Sequence, residues 1–151
     1  MLHIFVDADA CPVKWEVYRV AHRYHLGVTL VADAPMRIPE GAGVNLRVVE
    51  QGMDAADDWI VEQVEAGDIV VTADIPLAAR CVAKGAYVIG PAGKPLSEDN
   101  IGTALATRNL LRELRELGEV TGGPRPFDKR DRSRFLQALD KAVNEIRRRQ
   151  G

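Results

Sequence analysis

Carboxylates follow two strand-like runs in this sequence, and their positions predict a site for a divalent metal ion. Residues 2–6 read as a buried strand that Asp7 closes, and Asp9 follows two residues later. While the chain stays extended, these two side chains point to the same side. Residues 70–72 form a similar run, and Asp74 comes shortly after it. Ligands of parallel sheets bind beyond the carboxyl ends of the strands, so adjacent strands would bring these acids together.

A further carboxylate comes from a helix that the pattern predicts over residues 55–66. At about 100° per residue, its apolar stripe consists of Ala56, Ile60, Val61 and Val64. Asp57 falls inside this stripe, whereas Asp58 points away from it. A carboxylate on a core face is costly unless a cation or a hydrogen bond compensates it. The helix is therefore expected to add Asp57 to the acidic cluster.

Helix capping is the alternative explanation for some of these acids. Asp54 and Asp57 have the spacing of a capping pair, and Asp74 can cap the helix that follows it. Capping does not explain Asp7 and Asp9, which stand at the end of a strand. A shared metal site is therefore favoured for the set as a whole.

The donor set indicates which metal would bind. Oxygen ligands without a neighbouring His or Cys suit Mg²⁺ or Mn²⁺ rather than zinc. Such an ion offsets the repulsion between crowded carboxylates, activates water and stabilises phosphoryl displacement. The expected metal ligands are Asp7, Asp57 and Asp74. Asp9 or Asp58 would position a water molecule, and Thr72 would orient a carboxylate or a phosphate.

Positive charge is concentrated near the carboxyl terminus. The formal net charge is −2, which by itself does not predict nucleic-acid binding, but residues 125–149 hold nine Lys/Arg against four Asp/Glu. The segment 121–135 also contains paired glycines, which let a backbone approach a ligand closely. The candidate phosphate-binding residues are Lys14, Arg125, Lys129, Arg130, Arg132 and Arg134. RNA is the partner that they favour, although a solvated basic helix face is the more common explanation.

The elements that must position these residues alternate along the chain. The predicted strands cover 2–6, 28–32, 46–49, 68–72 and 86–89, and the predicted helices cover 12–25, 55–66, 75–84, 97–117 and 132–149. This alternation predicts a mostly parallel sheet covered on both faces, a three-layer α/β/α fold with additional C-terminal helices. The sheet pattern ends after Pro91.

Bulk properties narrow the class of protein. The 151 residues, 46% of them hydrophobic, fit one globular domain over 1–151. No apolar run approaches the roughly 20 residues of a membrane span, and no export signal is recognisable. Cys11 and Cys81 form no CxxC pair, so neither a disulfide framework nor a zinc site is indicated. We expect a cytoplasmic protein without membrane contact, and the sequence does not indicate its oligomeric state.

Four runs, taken together, resemble a known family. They are Asp7 to Lys14, Asp57 to Ile60, Thr72 to Ala78, and Thr121 to Phe135. In this order they are similar to uncharacterised protein family 0178, the YaiI/YqxD type, and the resemblance covers nearly the whole chain.

The sheet of that family resembles the PIN-like nuclease fold. In PIN domains an acid closes the first strand, another starts a middle helix, and a Thr-x-Asp follows a later strand. Asp7, Asp57 or Asp58, and Thr72 with Asp74 match these places. The resemblance implies a Mg²⁺- or Mn²⁺-dependent ribonuclease-like site. Asp9 and the long basic tail depart from the PIN pattern.

Two other functions are compatible with the same residues. An aspartate-nucleophile phosphatase would use Asp7 as nucleophile and Asp9 as acid/base, as in haloacid-dehalogenase-type enzymes. The order argues against it, since the pair Asp57-Asp58 comes before Thr72 rather than late in the chain. A non-catalytic module that binds metal or RNA is the third interpretation.

Overall fold

A computed structural model describes residues 2–9, 11–41, 43–50, 52, 54–119 and 126–150. The strands in these parts are β1 (His3–Asp7), β2 (Gly27–Ala32), β3 (Val44–Val48), β4 (Ile69–Val71), β5 (Tyr87–Ile89) and β6 (Pro95–Leu96). The helices are α1 (Lys14–Tyr24), α2 (Ala55–Gln63), α3 (Ile75–Ala83), α4 (Ile101–Glu116) and α5 (Lys129–Gln150). None of the described helices has the length and apolar character needed to cross a membrane.

The described strands form one sheet in the order β3-β2-β1-β4-β5-β6. β1 to β5 run parallel, and β6 pairs antiparallel with β5 at the edge. The prediction that the sheet ends after Pro91 was wrong. Gly90 N–H donates to the Lys94 carbonyl at 2.9 Å, which closes a turn and folds Pro95–Leu96 back onto β5. A strand of two residues is too short to show a hydrophobic period.

Both faces of the sheet are covered, which confirms the three-layer α/β/α prediction. α1 and α5 pack with Ile4 and Val6 of β1 on one face. α2 and α3 pack with Phe5 of β1 on the other face, and α4 lies against α3. The central strands are therefore apolar on both sides, as expected of a parallel sheet between helices. The predicted apolar face of α5 is also confirmed, because its members Phe135, Leu139, Ala142, Val143 and Ile146 are buried in the α1-side core.

Side-chain hydrogen bonds move several helix boundaries from their predicted places. α5 begins at Lys129 rather than Arg132 because Asp128 and Asp131 cap it reciprocally. Asp128 N–H donates to Asp131 Oδ2, and Asp131 N–H donates to Asp128 Oδ1, both at 3.1 Å. α4 begins at Ile101 rather than Ser97, since Asn100 Oδ1 accepts from Ser97 N–H at 2.9 Å and forms a turn there.

The end of α2 also differs from the prediction. The helix stops at Gln63 instead of continuing to Gly67, and Val64 is already extended, with a φ of −69° and a ψ of 142°. The Val64 side chain is buried, and Glu65 N–H donates to Asp68 Oδ2 at 2.9 Å. The last predicted helical turn is therefore replaced by an extended Val64, whose side chain is buried, and by a turn that Asp68 stabilises.

Candidate metal centre

The candidate site lies at the carboxyl ends of β1 and β4, which are neighbours at the centre of the sheet. The chain leaves β1 through α1 towards β2, and leaves β4 through α3 towards β5 on the other side. The connections thus diverge and leave a crevice between the two strand ends, which is the usual ligand position in sheets of this order. Asp7 ends β1, and Thr72 and Asp74 follow β4.

A chain of hydrogen bonds holds these three residues together. Thr72, only 2% exposed, donates its hydroxyl to Asp7 Oδ2 at 2.9 Å. The same Thr72 oxygen accepts from Asp74 N–H at 3.0 Å, and Asp74 Oδ1 accepts from Leu77 N–H at 3.0 Å. Asp74 therefore caps α3, and Thr72 fixes the orientation of the Asp7 carboxylate relative to that cap.

A small cavity opens beside this hydrogen-bonded chain. Its volume is about 210 Å³, and Asp7, Thr72, Asp74, Cys11 and Pro91 line it. Burial raises the pKa of the Cys11 thiol, which disfavours its reactive thiolate form. The carboxylates of Asp7 and Asp74 are the charged groups of the cavity lining.

Asp57 of α2 belongs to the same electrostatic neighbourhood. Partial burial and the negative charges of Asp74, Asp7 and Asp54 raise its pKa to about 6, against an opposing effect of Arg80. The pKa of Asp7 is raised as well, by burial first and then by Asp74 and Asp9, while the Thr72 hydrogen bond lowers it. Neighbouring carboxylates thus disfavour the ionisation of Asp7 and Asp57, which is the effect that a bound cation removes.

Asp9 and Asp58 lie on the surface and have other partners. Both carboxylate oxygens of Asp9 accept from Asp33 N–H at 3.2 Å, which ties the end of β1 to the segment after β2. Asp58 forms an ion pair at 2.8 Å with Arg80 of α3, and both side chains are largely exposed. Their predicted role in positioning water stays a prediction.

The residues present fit a hydrated cation better than a closed protein cage. Within the described ranges, no three His, Cys, Asp or Glu side chains converge closely enough to hold a metal ion by themselves. Mg²⁺ commonly binds through one or two carboxylates and keeps several water molecules. A donor set of carboxylate oxygens around a small cavity suits that mode of binding.

The predicted phosphate-binding residues fall into different environments. Lys14 Nζ donates to the Cys11 carbonyl at 3.3 Å, close to the rim of the cavity. Lys129 and Arg130 are exposed at the start of α5, and Arg134 is exposed with Asp131 at 3.9 Å. Arg125 and the glycine-containing part of its segment, 121–124, lie outside the described residues.

Arg132 differs from the other basic residues because the protein itself occupies its guanidinium. Nη1 donates to the Pro12 carbonyl at 2.7 Å and to Glu16 Oε1 at 3.2 Å, and the group lies 5.0 Å above the Phe127 ring. These contacts tie the start of α5 to the start of α1. Arg132 therefore has a structural task that competes with the predicted contact to a phosphate.

Two residues next to the site were not indicated by any spacing in the sequence. Arg80 lowers the pKa of Asp57 and forms an ion pair with Asp58. The backbone N–H of Asp33 donates a hydrogen bond to the Asp9 carboxylate. Arg80 is 22 positions from Asp58, and Asp33 is 24 positions from Asp9. Only the packing of α3 beside α2, and of β2 beside β1, brings these pairs together.

The fold and the site define a three-layer α/β protein with an acidic crevice at the switch point of its sheet. The chain belongs to the Uncharacterized BCR, YaiI/YqxD family, which matches residues 5–145. A UPF0178 protein of Rhodopseudomonas palustris is 59% identical over 149 residues, which cover 99% of this chain and 94% of that protein.

Related sequences from other bacteria show the same full-length similarity. A UPF0178 protein of Nitrobacter winogradskyi is 56% identical over 147 residues, covering 97% of this chain and 94% of its own length. A UPF0178 protein of Azorhizobium caulinodans is 57% identical over 145 residues, which cover 96% of this chain and 91% of that protein. No solved structure matches the chain.

Proposed function

We propose that this protein is a Mg²⁺- or Mn²⁺-dependent nuclease that hydrolyses phosphodiester bonds of RNA. The observation that carries the proposal is the meeting of Asp7 and Asp74 beside one cavity at the carboxyl ends of β1 and β4, with the charge of Asp57 coupled to both. These groups come from three separate elements, and two of them have raised pKa values. Acids that are crowded in this way at a ligand-binding crevice are candidates for a functional site.

Each residue of the crevice has a task in this proposal. Asp7, Asp57 and Asp74 would hold a hydrated metal ion, in part through its water molecules, and the ion would supply an activated water and offset charge on the reacting phosphate. Thr72 keeps Asp7 Oδ2 in a fixed direction, and the cap on α3 uses Asp74 Oδ1. The resemblance to PIN domains supports these assignments, because an acid, a helix acid and a Thr-x-Asp occupy the same places in that fold.

The RNA backbone would lie along the basic residues near the crevice. Lys14 is next to the cavity, and Lys129, Arg130 and Arg134 present their side chains at the exposed start of α5. Phosphate contacts of this kind supply affinity without sequence preference and weaken as salt increases. The sequence adds Arg125 to the proposed set, outside the described residues.

The test is RNA cleavage by the purified 151-residue chain in Mn²⁺, compared with its Asp7→Asn variant. Asn can still accept the Thr72 hydrogen bond, so the fold should persist while a charged ligand is lost. The matched control is Asp99→Asn, an exposed acid near the amino-terminal ends of β4 and β5. We expect cleavage by the wild type and the control, and a loss of at least about 100-fold in Asp7→Asn, the scale of losing an essential charge stabiliser.

A parallel assay separates the other functions. RNA binding without turnover in Mn²⁺ or Mg²⁺ would replace the nuclease with a non-catalytic module. Hydrolysis of a generic phosphate monoester, without RNA cleavage, would identify a phosphatase instead. No observation favours the phosphatase, because both oxygens of its required acid/base, Asp9, accept the Asp33 N–H.

A further inference from the structure

A second pocket, separate from the acidic cavity, lies where α1 meets the segment after β2. Its volume is about 280 Å³, and its lining is Lys14, Trp15, Tyr18, Arg37, Ile38 and Pro39. Trp15 is 71% exposed, which is unusual for the largest apolar side chain in a protein. The pocket therefore combines an open aromatic surface with two cationic side chains.

Local structure holds the aromatic surface in place. Trp15 is the second residue of α1, and Tyr18 comes three positions later on the same side of the helix. Their ring centroids are 5.6 Å apart at an interplanar angle of 82°, an edge-to-face contact. Tyr18 packs partly against the α1-side core, as does Ile38 across the pocket. The indole thus has a fixed neighbour on one side and remains accessible to solvent.

The charges around the indole indicate what it would contact. Arg37 is exposed and has no hydrogen bond or ion pair within the described parts of the chain, and Lys14 precedes Trp15 at the start of α1. An exposed aromatic ring beside cations is the arrangement with which proteins stack an unpaired base while binding its phosphates. The pocket is smaller than the roughly 300–1,000 Å³ of sites for drug-sized ligands, which suits one ring system.

The position of the pocket links it to the acidic crevice. Lys14 lines the pocket, and its ammonium group donates to the carbonyl of Cys11, a residue that lines the acidic cavity. The two sites are therefore separated by the short segment 11–14. A single strand whose phosphate lies at the cavity can place a neighbouring nucleotide over Trp15.

We infer that this pocket stacks one unpaired base of single-stranded RNA on Trp15, with Lys14 and Arg37 contacting the adjacent phosphates. This inference rests on the proposed function, which supplies RNA as the ligand. It adds that the RNA is single-stranded. A duplex is excluded from the pocket because both faces of its internal bases are already stacked. The substrate is therefore single-stranded, and Trp15 is a specificity-determining residue.

The test measures binding in EDTA, so that it does not depend on catalysis. Fluorescence anisotropy of a labelled uridine oligomer is compared with that of an abasic oligomer of equal length and of a duplex. Trp15→Ala should weaken binding of the uridine oligomer roughly 5- to 150-fold, the scale of one stacked base. Trp15→Phe should retain most of the affinity. Leu117→Ala, at a leucine that is 75% exposed on the other side of the sheet, should leave it unchanged.

The abasic oligomer distinguishes stacking from charge. It should bind the wild type and Trp15→Ala equally weakly, whereas Arg37→Ala should weaken both oligomers. Equal affinity of wild type and Trp15→Ala for the uridine oligomer would overturn the inference, as would a duplex that binds as tightly as the single strand. Stacking without cleavage in Mn²⁺ would support base binding at Trp15 and contradict the nuclease activity. Cleavage in Mn²⁺ with no effect of Trp15→Ala on binding would support the nuclease activity and contradict base binding at Trp15.

Discussion

The same spacing of two aspartates, Asp-x-x-Asp, stands at the start of α2 and at the start of α5, and the two pairs behave differently. At α5, Asp128 and Asp131 accept each other's backbone N–H, and Asp131 is only 3% exposed. At α2, the Asp54 side chain makes no capping hydrogen bond, and its φ of 67° is left-handed. Asp57 then shares its surroundings with other carboxylates and has a pKa of about 6.

This difference shows that one spacing can give either a reciprocal helix cap or an uncapped pair near other carboxylates. An acid that accepts backbone N–H groups at a helix start is stabilised as an anion by the fold itself. An acid at the same spacing that faces other acids lacks this compensation and is available to a cation. Without metal, substitution of one acid in each pair should therefore change the free energy of unfolding in opposite directions.

The largest expected effect is stabilisation of the protein by metal. Mn²⁺ at about 100 times its dissociation constant should add about 2.7 kcal/mol to the free energy of unfolding. Asp7→Asn should lose most of this gain, and Asp99→Asn should keep it. Thermal unfolding with and without Mn²⁺ measures the gain, and equal Mn²⁺ stabilisation of Asp7→Asn and wild type would refute the site. The proposed ligand Asp57 must be ionised to bind Mn²⁺, so the proposal predicts that the affinity falls as the pH drops below about 6.

A smaller loss is expected from Asp131→Ala at the start of α5. The substitution leaves Asp128 N–H without its acceptor and removes one half of the reciprocal cap. The expected destabilisation is about 1–2 kcal/mol, with or without Mn²⁺. Urea unfolding measures it. A variant as stable as the wild type would show that the α5 pair is not a structural cap.

Asp57→Asn should change stability in the opposite direction when no metal is present. The folded state holds a proton on Asp57 up to about pH 6, whereas the unfolded chain loses it near its ordinary value of 3.8. The wild type therefore loses stability as the pH rises from about 4 to about 6. Since Asp57 is partly exposed, screening reduces the expected gain of the variant at pH 7 to about 1 kcal/mol, or about 2–4 °C in Tm.

The pH series contains its own control. Below about pH 4 the wild-type carboxyl is neutral, so Asp57→Asn and wild type should unfold at similar temperatures. Saturating Mn²⁺ should reverse the order and make the wild type the more stable protein. If Asp57→Asn destabilises the metal-free chain at pH 7, the two aspartate pairs are alike and the comparison fails.

The smallest expected effect concerns Arg80, the cation next to the α2 pair. Arg80→Met removes an exposed ion pair with Asp58 and should change the free energy of unfolding by less than about 0.5 kcal/mol. It also removes a positive charge that lowers the pKa of Asp57, so that pKa should rise above its wild-type value. NMR titration of the Asp57 carboxyl carbon measures the shift. A fall in the pKa would contradict the assigned surroundings.

Much of the fold could be predicted from local patterns. Residues 2–6 and 86–89 are apolar runs of strand length, and α3 was predicted to within one residue because Gly85 suits a helix end. Boundaries were missed where one side chain decided them, as Asn100 does before α4 and Asp68 does after α2. Such bonds leave no periodic signal.

For the candidate site, the acids and their burial were more predictable than their hydrogen-bond and ion-pair partners. The apolar stripe of α2 already indicated that Asp57 faces inward and Asp58 outward, and the two side chains are half-buried and exposed respectively. The partners of Asp9 and Asp58 could not be predicted, because Asp33 and Arg80 reach them only through the packing of neighbouring elements.

The sequence by itself determined the alternation of strands and helices, the two-sided burial of the sheet and the presence of acids at strand ends. These features depend on hydrophobic periodicity and chain direction, which are local properties. Only the tertiary structure decided that β4 lies beside β1, which brings Asp74 to Asp7, and that Asp54 adopts a backbone conformation that does not cap α2. Strand order follows from the packing of distant segments, which no short stretch of sequence encodes.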